Sequence, residues 1–119
     1  MATVLTDLGE AAIIDKLDTS TKFDYIAWGT GAGTAGKTDT TLFTESGDES
    51  RVQGTVTQPT ADKYQVVGTM TCASSGKTIT NAGLFNQSST GTMIIKGDFT
   101  GVVLAVGDKI EFTISLEIT

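Results

Sequence analysis

The sequence predicts an all-β fold: an antiparallel β-sandwich, or small barrel, with a short N-terminal helix or arm. Three observations point there. From Lys109 to Thr119, apolar and polar residues alternate without a break, Ile110, Phe112, Ile114, Leu116 and Ile118 against Lys109, Glu111, Thr113, Ser115 and Glu117. That is the period of a half-buried strand. Turn-forming clusters recur every ten residues or so after residue 45: Ser46-Gly47-Asp48, Pro59 to Asp62, Ser74-Ser75-Gly76, Ser88 to Gly91, and Gly107-Asp108. Finally, 22 of the 119 residues are threonine, β-branched and polar, which suits the wet face of a pleated sheet.

Taken in order, residues 4–17 predict the one helix. Leu5, Leu8, Ala12 and Ile13 recur near the 3.6 period, with Asp7 and Glu10 at the start and Lys16 at the end, as the helix dipole favours. Residues 1–20 thus form a helix or arm, and 21–119 a single β domain. Strand candidates are Phe23–Trp28, Thr40–Thr44, Arg51–Thr57 (Val52 and Val56 inward), Tyr64–Cys72, Lys77–Phe85, Thr92–Phe99 (Met93, Ile95 and Phe99 inward) and the final alternating run.

Composition excludes several classes of chemistry. Eight Lys+Arg against 14 Asp+Glu give a net charge of −6, and the bases are scattered, so phosphate backbones find no basic patch and no nucleic-acid partner is expected. One Cys and no His leave no zinc finger, iron–sulfur ligation or histidine-based triad, and no intrachain disulfide. No catalytic residue, cofactor or metal is expected. The first ten residues hold two acids and no base, unlike a secretory leader. The longest apolar run, Val102–Val106, is far short of the ~20 residues that span a bilayer. The expectation is a soluble, non-membrane protein made in a cytoplasm, in which the Asn86-Gln87-Ser88 sequon has no glycosylation role.

One stretch imitates catalytic chemistry. Gly31 to Thr38, GAGTAGKT, satisfies G-x-x-x-x-G-K-[ST], in which backbone amides wrap phosphates, the lysine (here Lys37) reaches the outer phosphates and the threonine holds magnesium. That motif must open a long helix, yet Asp39 to Gly47 is β-branched, acidic and broken by glycine, and no strand–helix alternation follows. A connecting loop is the preferred reading. Other groups also weigh toward structure. Glu45, Asp48 and Glu49 lack the ligand spacing of a calcium loop and read as a solvated turn. Asp98 and Asp108 adjoin turn glycines, and Cys72 shares an apolar face with Val66 and Met70. Trp28, Tyr25 and Phe43 flank the glycine-rich loop, where partner anchoring competes with core packing.

Two regions carry a resemblance. Thr78-Ile79-Thr80-Asn81-Ala82-Gly83-Leu84-Phe85-Asn86, Thr92 to Phe99, and Gly107-Asp108-Lys109-Ile110-Glu111-Phe112-Thr113-Ile114 resemble small tailed-bacteriophage virion proteins. Trp28-Gly29-Thr30-Gly31 followed by Thr38 to Glu45 looks like their front half, so the likeness covers residues 23–119 in patches. It implies a non-enzymatic particle component, and leaves head or tail open. The leading expectation is a capsid decoration (cement) protein on the outer face of the head, a homo-oligomer (a trimer) that bridges major capsid protein subunits. A tail or fibre-base component is the alternative, and a host-surface carbohydrate-binding module a third. Partner contacts are expected at Val4, Leu5 and Leu8 of the arm, and at Trp28 and Lys37 beside the glycine-rich loop.

Overall fold

A computed structural model describes residues 3–19 and 22–119. Helix α1 (Asp7–Leu17) is followed by strands β1 (Tyr25–Gly29), β2 (Val52–Gln53), β3 (Thr55–Thr57), β4 (Lys63–Thr71), β5 (Lys77–Phe85), β6 (Met93–Leu104) and β7 (Lys109–Glu117). They form two antiparallel sheets, ordered β2-β1-β5-β6 and β3-β4-β7. The fold is the expected all-β sandwich. Its main core lies between the sheets, where Ile26, Trp28, Ile79 and Leu84 of one meet Tyr64, Val66 and Met70 of the other. The strict alternation of β7 appears as expected, every even residue from Ile110 to Ile118 turning toward this core.

Along one side the sandwich is closed by the chain itself. β2 belongs to one sheet and β3 to the other, with only Gly54 between them. A Cβ at Gly54 would lie 2.5 Å from Val66 Cγ1 and 2.8 Å from the Val67 carbonyl oxygen, so the crossing needs glycine. The opposite side is open. β6 and β7 are the edge strands there, joined by the turn at 105–108.

Three expectations need correcting. The helix buries a different stripe: Ile14 is fully enclosed and Leu17 packs beside it, whereas Leu5, Leu8, Ala12 and Ile13 face solvent. It also starts later than residue 4, because Thr6 caps it, its hydroxyl accepting from Gly9 N at 3.1 Å. Residues 40–44 are not a strand; only Glu45 makes an isolated bridge, to Gly29. Finally, Phe99 is not sealed inside. On β6 the residues Phe99–Gly101 stand against Thr80 alone, a bulge that ends regular alternation and lets Ile79 and Leu84 both reach the core. Beyond it β6 runs on through Val102 and Val103, both exposed.

The segment between β1 and β2 is more than a connector. It lies on the outer face of the first sheet, where Leu42 joins Ala27 and Phe85 in a second apolar cluster. This cover explains why β1 is buried from Ile26 to Gly29 and β5 from Asn81 to Phe85, on both faces.

Candidate functional site

Of the residues expected at a partner surface, the arm residues are displayed. Val4 is 81% exposed and Leu8 85%, and Leu5 is about half exposed. These exposed apolar residues lie outside the core, while Ile14 and Leu17 hold the helix that follows Val4 and Leu5 to the β domain. Lys37 is also exposed, in the tight turn at 37–38. Trp28 is a correction. It is completely buried, its ring edge-on to Phe112 at 6.4 Å and its Nε1 donating to Glu49 Oε1 at 2.8 Å, so it offers no surface. Tyr25 and Phe43 are half-buried, Tyr25 beside the second apolar cluster.

The glycine-rich loop is tied down by the protein's own acids. Ala35 N donates to Asp98 Oδ1 and Gly36 N to Asp39 Oδ2, each at 2.9 Å. These amides sit where a phosphate-binding loop would hold its ligand, and carboxylates already satisfy them. Lys96, a cation beside the loop, is spent in the same way. Its Nζ is 2.8 Å from Asp39 Oδ2 and 3.3 Å from the centre of the Phe43 ring. Hydrogen bonding from Lys96, then from Gly36, holds the Asp39 carboxyl below its usual range. The loop ends in a turn rather than a helix. Between it and β6 lies an open depression of about 490 Å³ lined by Ala35, Gly36, Lys37, Asp39 and residues 93–96. Phe43 fixes the loop from beneath, since a Cβ at Gly33 would come within 2.7 Å of its ring.

Phe43 is held in turn by Asn81, which is buried and gives both halves of its amide to one residue. Oδ1 accepts from Phe43 N at 3.0 Å and Nδ2 donates to Phe43 O at 3.1 Å. An asparagine inside a strand is unfavourable for β structure, and that was the only sequence signal for this clamp.

The acidic turn at 45–49 is a polar knot. Glu49 Oε1 accepts from Trp28 and, at 2.7 Å, from Ser46 Oγ; its Oε2 accepts from Ala73 N at 2.9 Å and from Lys77. Burial works against the charge on Glu49, but these donors, Lys77 foremost, outweigh it and bring its carboxyl down to about 2. For Lys77 burial again opposes charge, and the carboxylates of Glu49 and Asp48 prevail, raising its pKa. Glu45 is taken by Arg51, whose guanidinium stacks 3.6 Å from the Phe85 ring centre and donates to the carbonyls of Gln87 and Thr90. Thus the acids weighed as calcium ligands are neutralised internally. Among the described residues no group of three or more His, Cys, Asp or Glu is arranged to hold a metal. Asp98 and Asp108 serve separate backbone amides, Asp108 accepting from Ala105 N at 2.8 Å, and Cys72 is buried beside the Ser75 carbonyl. No described helix is long and apolar enough to cross a membrane.

Comparison with known proteins gives no match: no protein-family model, no curated protein and no solved structure aligns with the chain.

Proposed function

We propose that this protein is a bacteriophage capsid decoration protein, a β domain that adheres to the outside of the assembled head and stabilises it by bridging capsid subunits. The observation that carries the reading is the displayed apolar arm, Val4 and Leu5 just ahead of helix α1 and Leu8 in its first turn, with the helix anchored to the β domain by Ile14. An exposed patch that leads into an anchored helix is partly pre-organised for docking, so less ordering entropy opposes binding. Adhesion stabilises whichever shell state binds better, by the difference in affinity, and repeated contacts on one particle add avidity. Lys37, exposed at the glycine-rich turn, supplies a second contact in this reading. The carbohydrate-binding alternative loses support because Trp28 lies in the core and Tyr25 and Phe43 are half-buried.

The test is co-sedimentation of the purified chain with empty heads built from the major capsid protein of the same genome. Leu5→Asp/Leu8→Asp should abolish pelleting while leaving the melting temperature unchanged. Undiminished pelleting of the double variant removes the arm from the contact. Failure of the wild type to bind heads, with a few to dozens of copies found on virions, moves the protein to the tail or fibre base.

A further inference from the structure

The open side of the sandwich ends in β7, whose outer edge has no neighbouring strand among the described residues. Its backbone polarity can be assigned. Cys72 N donates to Asp108 O at 2.8 Å and Ile118 N donates to Asp62 O at 3.0 Å, so even-numbered residues of this segment turn their amide and carbonyl toward β4. In an antiparallel ladder the odd residues must then point theirs outward. Lys109, Glu111, Thr113, Ser115 and Glu117 therefore present a row of free donors and acceptors, a template for another strand. The side chains around it want covering as well. Ile110, Phe112, Ile114 and Leu116 face the core yet remain only half-buried. Phe99 leans across the opening to within 6.5 Å of the Phe112 ring, with Val102 and Val103 exposed farther along β6.

We infer that β7 is a self-association edge, pairing antiparallel with β7 of a second copy about a two-fold axis at Thr113. The sequence is self-complementary in that register. On the outer face Lys109 meets Glu117 of the other copy, twice by symmetry, Glu111 meets Ser115, and Thr113 meets itself. On the inner face Ile110 meets Leu116 and Phe112 meets Ile114. Odd residues face odd residues, as the outward-pointing groups require, and five such pairs give about ten inter-copy hydrogen bonds. The neighbouring registers are worse. A shift of two residues one way sets Glu111 against Glu117, like charges across a pair. The opposite shift sets Glu117 against Gly107, which lies in the turn outside the strand. The product is a continuous six-stranded sheet, β3-β4-β7 joined to its symmetry copy, with an isologous interface. It goes beyond the decoration reading and holds wherever on a particle the protein sits.

The 119-residue chain in sedimentation equilibrium should show twice its 12.4 kDa mass. Lys109→Glu, which sets Glu against Glu117 at two places, should weaken the dimer about tenfold at low salt. Lys109→Glu/Glu117→Lys should restore it. A geometric check uses cysteine, since Cys72, the one native thiol, is buried. Thr113→Cys should cross-link to its own copy under mild oxidation, the paired Cα atoms lying about 5.5 Å apart, whereas Glu111→Cys should not. A monomer at millimolar concentration, a trimer, a dimer indifferent to the charge swap, or equal cross-linking at 111 and 113 would each overturn the inference.

Discussion

Glu49 is the most exacting point at which to test this structure. Replacing it by Gln keeps the volume and leaves Oε1 for Trp28 and Ser46, but sets an amide NH₂ where Oε2 accepted from Ala73 N and Lys77. Donors then face a donor, and the Lys77 ammonium, nearly enclosed, keeps only Asp48 and the Ala73 carbonyl. Breaking a buried pair from one side costs about 3 kcal/mol. Unfolding entropy of about 2.1 cal/mol/K per residue gives the chain about 0.25 kcal/mol/K, so the melting temperature should fall by about 12 °C. Acid adds an independent signature. The carboxyl titrates at about 2 when folded against 4.5 when free. Between those values the unfolded chain binds the extra proton, so stability rises with pH in that window. The contribution is complete above pH 4.5 and disappears as pH falls through 2, about 3 kcal/mol in all. Urea titrations followed by the single tryptophan, which touches Glu49 directly, should show this acid slope in the wild type and a shallower one in Glu49→Gln. A loss under about 1 kcal/mol, or an unchanged slope, refutes the account.

Other substitutions separate structural from adhesive roles. Asn81→Ala strands the amide and carbonyl of Phe43 and should cost about 2–4 kcal/mol, with hydrogen exchange rising first at 42–44. Ile14→Ala should cost about 2–4 kcal/mol by leaving a cavity under the helix, while Leu8→Asp, a few residues away, should stay within about 0.5 kcal/mol of wild type in the same melts. Calorimetric titration of the wild type with Mg-ATP should be flat and Lys37→Ala should leave it so, because Asp39 and Asp98 already hold the loop amides.

What could be read in advance follows the range of the forces involved. β7 was legible because its neighbours in sequence alternate on a pleat and one face is apolar, information local to eleven residues. Lys77–Phe85 was legible as a strand for the similar reason that turn residues bracket it. The helix was legible, but not its buried stripe: Leu5-Leu8-Ala12-Ile13 is the longer apolar series, whereas the β domain encloses Ile14 and partly covers Leu17. Threonine at 40 and 41 suggested a strand by propensity, and the Asn81 clamp on Phe43, 38 residues away, overrides it. Glu49 with Trp28 and Lys77 was invisible for the same reason, its partners standing 21 and 28 positions off. Trp28 was placed at a surface because it borders a loop, and the loop proves to lie on the other face of its sheet.

That loop has a practical corollary for anyone probing nucleotide chemistry by mutagenesis. Substituting Gly31 or Gly33 would produce crippled proteins and invite an enzymatic explanation. Side chains at Gly33 would push against the ring of Phe43, the residue that Asn81 clamps, so the casualties would be misfolded, not inactive. Any such survey needs a melting curve beside every assay, or architecture will masquerade as catalysis.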